Sequence, residues 1–332
     1  MRLLVTGGAG FIGGHFIRHM LATYSDFQVI NLDKLTYAGN LESLGDVQEH
    51  PRYQFVQGDI CDAPLVDSLA SQVDAIVNFA AETHVDRSIL EPRGFVQTNV
   101  EGTYVLLEAA KTHRHRRYVQ ISTDEVYGSI EQGACTEAAP LQPSSPYAAS
   151  KACGDLLALS YAKTFDVPVL VTRSTNNFGP YQYPEKLIPL CITNALEDKS
   201  LPVYGDGLNV RDWLYVVDNC RAIDLVLHTG RAGTVYNIGA GNERTNIAVV
   251  RAILHELRRS ETLIDYVTDR VAHDRRYAVC CRPVAALGFR PTVRFEAALR
   301  DTVQWYADHA DWWGRVKSGA FQHYYQQQYH QR

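Results

Sequence analysis

The chain has 332 residues, enough for one large α/β domain or for two lobes. Hydrophobic residues make up 46% of it and charged residues 21%, an ordinary balance for a soluble globular enzyme. A formal net charge of −5 argues against a surface that binds nucleic acid or an anionic membrane. Nucleic acid is therefore not an expected partner.

The cysteines indicate a reducing environment. Seven are scattered along the chain and no CxxC pair occurs, so the sequence suggests neither a disulfide framework nor a metal site such as zinc. Cys280 and Cys281 are adjacent, and we expect both to be reduced thiols. The chain opens directly as a strand and contains no apolar run long enough for a signal or membrane segment. We expect a cytoplasmic protein without a membrane partner.

The first 180 residues alternate short apolar runs with longer helical patterns. The runs are apolar or β-branched at odd and even positions, as in parallel strands covered on both faces: Arg2–Thr6, Gln28–Leu32, Tyr53–Gln57, Ala75–Phe79, Tyr118–Ser122 and Val169–Arg173. The helical patterns cover Gly13–Tyr24, Pro64–Gln72, Phe95–His113 and Tyr147–Phe165. This alternation predicts the α/β class, with a Rossmann-type doubly wound parallel sheet.

After residue 180 the composition of the sequence and the length of its predicted elements change. Proline, glycine and aromatic residues become denser and the predicted elements become shorter. We therefore predict a Rossmann domain over residues 1–180 and a smaller C-terminal α/β substrate-binding lobe over residues 181–332. We also expect some segments of the second part to return to the Rossmann sheet.

A glycine-rich turn follows the first strand and opens the first helix. Gly8, Gly10 and Gly13 stand in the GxGxxG spacing, and Asp33 follows at the end of the second strand. Glycines permit close backbone approach to a pyrophosphate, which the helix N-terminus attracts. A carboxylate at Asp33 would bind the adenosine ribose hydroxyls and repel a 2′-phosphate. The expected cofactor is therefore NAD rather than NADP.

Two further strand ends support this interpretation. Asp59 and Ile60 end the third strand, where a carboxylate could reach the adenine amine. Ala80 and Ala81 end the fourth, where small side chains leave room for the cofactor.

Tyr147 and Lys151 are four residues apart on a predicted helix, so they share one face. An ammonium group near the phenol, together with a positively charged nicotinamide, lowers the phenol pKa, so that Tyr147 can take a proton from an alcohol. Thr123, at the end of a strand, completes a group suited to oxidising a carbinol.

These motifs resemble the extended short-chain dehydrogenase/reductase superfamily, and the resemblance narrows at Ser122–Gly128 (STDEVYG) to the dTDP-glucose 4,6-dehydratase family. The resemblance extends over most of the chain. Four further segments match, namely DKLTYAGNLESL at 33–44, AAETHVDRS at 80–88, STNNFGPYQYPEKLIPL at 174–190 and LPVYGDGLNVRDWLY at 201–215, and HDRRY at 273–277 fits as well.

The resemblance implies the dehydration of dTDP-glucose to dTDP-4-keto-6-deoxyglucose. Oxidation at carbon 4 acidifies the proton on carbon 5, and loss of the hydroxyl at carbon 6 then needs one base and one acid. Two adjacent carboxyl groups in a closed site can hold opposite protonation states. Carried onto this chain, Glu125 is the base and Asp124 the acid, and the hydride returns to carbon 6. No net redox change occurs.

The resemblance also implies the ligand contacts. Cofactor contacts are expected for Gly7, Gly10, Phe11, Ile12, Gly13, Asp33, Lys34, Thr36, Asp59, Ile60, Ala80, Ala81, Thr98, Tyr147, Lys151 and Asn176. Thr83 and His84 would face the sugar, and Tyr204 beside Pro202 would stack on the pyrimidine. The remaining expected substrate contacts are Thr123, Asn177, Glu185, Lys186, Leu187, Arg211, Asn246, Arg270, His273 and Tyr277, of which Arg211 and Arg270 would meet the diphosphate.

One segment departs from the family pattern. After Tyr277 and Ala278 the family has an Asp two residues on, where this chain has Cys280. Asp often caps the following helix, a role that cysteine fills poorly, whereas Pro283 suits a first helical turn.

Several alternatives stay open. A UDP-sugar 4,6-dehydratase or a nucleotide-sugar 4-epimerase would share the NAD site and the Tyr–Lys pair, although an epimerase does not need the Asp–Glu pair. A non-catalytic NAD-binding scaffold is a different class, and it would not need Thr123, Tyr147 or Lys151. No residue reads the thymine methyl group, so dTDP and UDP are not distinguished. The superfamily also implies a homodimer with a four-helix interface, formed here by Phe95–His113 and Tyr147–Phe165.

Overall fold

A computed structural model describes residues 1–318 and 320–329. Its largest element is a seven-stranded sheet in which every pairing is parallel. In spatial order the strands are β10 (Thr234–Ile238), β6 (Val169–Ser174), β5 (Arg117–Thr123), β4 (Ala75–Asn78), β1 (Arg2–Thr6), β2 (Gln28–Asp33) and β3 (Tyr53–Gln57). All six strands predicted for the first 180 residues are present, with ends that differ by one residue at most. The predicted fold class is confirmed.

Helices cover both faces of this sheet. Alternate residues of one strand reach opposite faces, so Leu3 and Val5 join one buried cluster while Leu4 joins the other. The first face packs on α1 (Phe11–Thr23) and α8 (Val216–Thr229). The second packs on α2 (Ala63–Ala70), α5 (Thr103–Thr112) and α6 (Pro146–Phe165).

The helix predicted over Phe95–His113 differs from a regular α-helix. It begins as α4 (Arg93–Val96), widens into π-helical turns over Gln97–Gly102, and continues as α5. Within the π segment, Asn99 turns its carboxamide away from the helix. Its Nδ2 donates to Ser150 Oγ on α6 at 2.8 Å, and its Oδ1 accepts from the Glu82 amide at 2.9 Å. The irregularity therefore ties α6 to the loop after β4, beside the cleft described below.

The second half of the chain contributes to two places. The helix α8 and the strand β10 belong to the large sheet layer, whereas most of the remainder builds a separate core around Phe178, Trp213 and Tyr306. Two small sheets flank that core: β7 (Asn176–Phe178) with β9 (Val210–Tyr215) and β11 (Glu243–Thr245), and β8 (Leu201–Tyr204) with β12 (Ile264–Val267).

The helices of this half are α7 (Leu187–Leu196), α9 (Asn246–Leu257), α10 (Arg282–Ala286), α11 (Phe295–Asp308), α12 (Ala310–Val316) and α13 (Ala320–Tyr329), beside α3 (Val85–Leu90) from the first half. The domain boundary at residue 180 stays a prediction. Residues 319 and 330–332 of the predicted second lobe lie outside the described part. Among the helices that the structure describes, none combines the length and apolarity that a membrane span requires.

The segment that departs from the family pattern forms α10. Cys281, rather than Cys280, is the residue before the helix, and its side chain makes no capping hydrogen bond. Pro283 lies in the first turn, as the sequence predicts.

Candidate active site

A cleft opens at the carboxyl ends of the large sheet and extends toward the second core. It encloses about 1600 Å³ of space free of protein atoms, including its open mouth. Every predicted cofactor residue lies on its wall: Gly7, Gly10, Phe11, Ile12, Gly13, Asp33, Lys34, Thr36, Asp59, Ile60, Ala80, Ala81, Thr98, Tyr147, Lys151 and Asn176. The predicted catalytic residues Thr123, Asp124 and Glu125 lie on the same wall. The roles of all these residues remain predictions.

The glycine turn is packed too tightly for side chains. Gly7 has a φ of +70°, and a Cβ there would lie 2.6 Å from the Ala80 nitrogen. A Cβ on Gly13 would collide with the Gly7 carbonyl oxygen. The first turn of α1 follows Gly10, and no side chain caps it. Its free backbone N–H groups therefore fit the anionic pyrophosphate of the expected cofactor.

Asp33 is held by two backbone amides, one in the glycine turn and one in the loop after β2. Its Oδ2 accepts from the Ala9 amide at 2.9 Å and its Oδ1 from the Leu35 amide at 2.8 Å. Burial raises the pKa of this carboxyl against the lowering effect of those two bonds. Beside it, Lys34 pairs with Asp59 at 2.6 Å. The carboxylate is thus fixed at the cleft wall, where a ribose would meet it.

Asp124 and Glu125 begin a 3-10 turn, Asp124–Tyr127, directly after β5. Thr123 caps this turn, because its Oγ1 accepts from the Glu125 amide at 3.2 Å, and it donates to Asp124 Oδ1 at 3.3 Å. Asp124 is 3% exposed, and its Oδ2 has no hydrogen-bond partner among the described residues. Burial first, and then the negative charge of Glu125, raise the pKa of Asp124 well above its usual value. Asp124 is therefore poised as a proton donor.

The Tyr–Lys pair lies on α6, which begins with the Ser145 cap. Burial first, and then the nearby Glu125, raise the pKa of the Tyr147 phenol, while hydrogen bonds with Thr83 and Thr123 act in the opposite direction. Lys151 donates to the Ile121 carbonyl at 2.6 Å, and burial lowers its pKa to about 8. Burial thus favours the protonated phenol here, and the lowered phenol pKa that the sequence predicts beside a bound nicotinamide stays a prediction.

The structure separates the predicted substrate residues into two groups. Thr83, Asn177, Glu185 and Lys186 line the cleft with the catalytic group. The others lie outside that wall, toward the second core: His84, Leu187, Pro202, Tyr204, Arg211, Asn246, Arg270, His273 and Tyr277.

Several residues of the outer group contact one another. Tyr204 meets His273 edge to face, and burial lowers the pKa of His273 to about 4. Arg270 lies 4.0 Å from Asp86, which also accepts from Tyr204 at 3.2 Å. They form one polar cluster beside the cleft.

Arg211 and Tyr277 form a second cluster. The Arg211 guanidinium stacks on the Tyr277 ring at 4.3 Å and donates to the Asp274 carbonyl at 2.9 Å. Asn246 begins α9, and its carboxamide oxygen is buried without a hydrogen-bond partner among the described residues. Leu187 begins α7, and Pro202 is buried in β8. Arg211 lies outside the cleft wall, and its contact with a diphosphate stays a prediction.

The C-terminal helix α13 covers part of this region. Tyr324 bonds to His84 Nδ1 at 3.2 Å, Gln328 donates to the Tyr204 hydroxyl at 2.6 Å, and Tyr329 stacks on the Tyr204 ring. One face of the Tyr204 ring, which the sequence assigns to stacking on a pyrimidine, is therefore in contact with Tyr329.

Sequence reasoning missed some residues at the site. Arg87 pairs with the buried Glu185 at 2.7 Å, and its guanidinium lies over the Tyr37 and Tyr324 rings. Tyr37 donates to Glu185 at 3.0 Å. Arg87 and Tyr37 belong to segments already singled out by their motifs, but a motif does not tell which of its side chains turn inward.

Comparison with known proteins agrees with this geometry. Residues 4–302 match the family model described as GDP-mannose 4,6 dehydratase. A dTDP-glucose 4,6-dehydratase of Streptomyces niveus is 54% identical over 323 residues, which are 96% of both chains. The dTDP-glucose 4,6-dehydratase 1 of Escherichia coli K12 is 48% identical, with all of both chains covered. The chain belongs to the dTDP-glucose 4,6-dehydratase family.

A solved structure of this family shows how such a fold holds its ligands. The dTDP-glucose 4,6-dehydratase DesIV of Streptomyces venezuelae, with NAD and dTDP bound, superposes with a TM-score of 0.94. It is 51% identical, and the match covers 96% of this chain and 100% of DesIV. The family predicted from the sequence is therefore confirmed.

Proposed function

We propose that this chain dehydrates dTDP-glucose to dTDP-4-keto-6-deoxyglucose and uses NAD as an internal redox cofactor. The observation that carries the proposal is the buried carboxyl of Asp124, whose pKa burial raises, beside Glu125 on the wall that also presents Tyr147 and Lys151. Oxidation alone needs only the tyrosine and lysine. An acid and a base next to them serve the removal of water.

The glycine turn, the uncapped start of α1 and the fixed Asp33 carboxylate fit NAD. Asp33 would hold the ribose, and Asn176, whose carboxamide oxygen is buried without a hydrogen-bond partner among the described residues, adds an acceptor on the cleft wall. When bound, NAD accepts the hydride from carbon 4 of the sugar and gives it back to carbon 6.

The residues of the chain move the protons. Tyr147 takes the proton of the 4-hydroxyl, and the lysine ammonium below it stabilises the phenolate form. Glu125 takes the proton of carbon 5, and Asp124 protonates the hydroxyl that leaves carbon 6 as water. Glu125 then returns its proton to carbon 5. Because the Thr123 hydroxyl contacts both Tyr147 and Asp124, it offers a path by which the proton on the phenol restores the acid.

The sugar nucleotide would extend from this group toward the second core. Lys186, which approaches Thr83 at 3.4 Å, and the outer cluster around Arg270 supply positive charge for a diphosphate. The preference for dTDP over UDP rests on the names of the relatives. It is tested by comparing turnover of dTDP-glucose and UDP-glucose.

We further propose a homodimer. The helices α4–α5 and α6 expose large apolar side chains, among them Val96 at 57%, Tyr104 at 48%, Leu156 at 58% and Phe165 at 49%. A second copy that packs the same helices would bury them in a four-helix interface. Sedimentation of the whole protein as a single 37.2 kDa species would contradict this.

We place the reaction in the cytoplasm. All seven cysteines are free thiols, which suits a reducing compartment. Fractionation of the source cells would check the location.

The proposed function is tested by incubating the purified protein with dTDP-glucose and no added reductant. We expect a 4-keto-6-deoxy product that absorbs in alkali, and no product from the matched Tyr147→Phe protein. Recovery of unchanged sugar, or of its 4-epimer, would contradict the proposal.

A further inference from the structure

A buried polar network lies behind the cleft and connects the two halves of the catalytic group. Asp155, one turn beyond Lys151 on α6, accepts from Ser122 Oγ at 2.9 Å and from Arg173 Nε at 2.9 Å. Arg173, on β6, donates in turn to the Tyr127 hydroxyl at 2.7 Å. Tyr127 donates to Asn237 Oδ1, on β10, at 2.8 Å. The network thus joins α6, three neighbouring strands and the 3-10 turn.

Four members of this network are out of reach of a ligand. Asp155 is 0%, Arg173 2%, Tyr127 5% and Asn237 0% exposed, and none of the four lies on the cleft wall formed by the described residues. A buried ion pair gains little net stability, because desolvation offsets the attraction between the charges. Its value here lies in fixing the relative positions of the elements that it joins.

Two of the elements that the network joins present the residues of different reaction steps. The helix α6 presents Tyr147 and Lys151, whereas the turn that ends at Tyr127 presents Asp124 and Glu125. We propose that Tyr127 is a positioning residue of the elimination step, because its bonds to Arg173 and Asn237 hold the turn with Asp124 and Glu125 in place against α6. This inference rests on the proposed function.

The elimination step depends on this anchor more than the oxidation does. Asp124 receives one hydrogen bond, from Thr123 at 3.3 Å, and its second oxygen has no partner among the described residues. Its position is therefore set by the backbone of the turn. Lys151, in contrast, has its own short bond of 2.6 Å to the Ile121 carbonyl. Loosening the turn should displace the acid and base while the oxidising pair stays in place.

The test is Tyr127→Phe, which removes one oxygen and keeps the ring packed against Val126 and Ala152. The purified protein is mixed rapidly with dTDP-glucose, and the absorbance of the reduced nicotinamide is followed with time. Its rise reports oxidation, and its decay reports elimination with hydride return. We expect the rise to stay within about twofold of the unchanged protein, and the decay to slow by about tenfold or more, since small misplacements of catalytic groups are costly.

The matched control is Tyr161→Phe. Tyr161 is a buried tyrosine of α6 whose hydroxyl donates to Glu108, away from the cleft. We expect it to leave both rates unchanged. A general loss of helix packing would slow the two steps together in either variant, so only a change in their ratio reports positioning.

A second variant keeps the test decisive if Tyr127→Phe does not fold with NAD bound. Arg173→Lys preserves the charge beside Asp155 but lacks the fork that reaches both Asp155 and Tyr127, and it should slow the same step. Equal slowing of both steps, or no slowing in a folded variant, would overturn the inference. Failure of the unchanged protein to form product would instead refute the proposed function.

Discussion

Replacing Asp124 by Asn should remove activity and add stability at the same time. Asn has the shape of Asp but holds no transferable proton, so the elimination step loses its acid, a loss of about 10²- to 10⁴-fold. The carboxyl is 3% exposed and has one oxygen without a partner among the described residues, so its ionised form is poorly accommodated in the fold. The substitution relieves that cost.

The magnitude follows from the direction of the pKa shift. Burial and Glu125 raise the pKa of Asp124 in the folded protein above its value of about 3.9 in the unfolded chain. Between these two pKa values the folded protein binds the extra proton, so its free energy of unfolding falls as the pH rises, by about 1.4 kcal/mol for each pH unit. For a chain of 332 residues that corresponds to roughly 2 °C in Tm per unit. The Asn protein avoids this loss.

The assay compares Tm of the two proteins, both saturated with NAD, from about pH 5 to about pH 8. We expect the Asn protein to melt higher and its advantage to widen with pH. Rapid mixing with dTDP-glucose should show reduced nicotinamide that forms and then persists. A lower Tm for the Asn protein across the range, or normal product formation, would refute this account of Asp124.

Three further predictions follow from other contacts. The Cβ of Gly13→Ala would collide with the Gly7 carbonyl, so this variant should lower the NAD content of the purified protein by about tenfold, whereas Gly314→Ala, with open space around it, should not. Equal NAD contents in the two variants would contradict the role of the glycine turn. Because burial lowers the pKa of Lys151 to about 8, the charged form is lost as pH rises through that value, and the oxidation rate should fall there; a flat profile would count against it. A chain ending at Ser318 lacks Tyr324 and Gln328, which contact His84 and Tyr204, so its KM for dTDP-glucose should rise about tenfold with unchanged NAD content. An unchanged KM would show that α13 does not support the substrate site.

The fold was largely predictable because a parallel sheet buried on both faces leaves an unmistakable pattern. Leu3, Leu4 and Val5 are apolar in succession since each meets one of two helical layers. The strand β10 escaped prediction, because its run Thr234–Ile238 includes Tyr236 and Asn237 and lies among glycines. Its place in the sheet comes from pairing with β6, a contact that local sequence does not encode.

The site was predictable where a spacing carries the chemistry. The glycine turn, the Tyr–Lys spacing and the adjacent carboxyl groups all lie on one cleft wall. The residues of the buried polar network were not predictable from sequence. Asp155 is an acid on a helix and Arg173 a cation on a strand, and only the fold brings them to within 2.9 Å of each other. Arg211 likewise donates to the backbone carbonyls of Val210 and Asp274, contacts that local sequence does not encode, and its expected contact with the diphosphate stays a prediction. Long-range contacts of this kind arise from tertiary packing.

The central claim is that hydride leaves carbon 4 and returns to carbon 6 of the same sugar. It is tested most directly with dTDP-glucose that carries deuterium at carbon 4, incubated with the protein and no added NADH. The account predicts that the deuterium is recovered on carbon 6 of the 4-keto-6-deoxy product. Deuterium that stays at carbon 4, as in recovered or epimerised sugar, or that is released in free reduced cofactor, would contradict it.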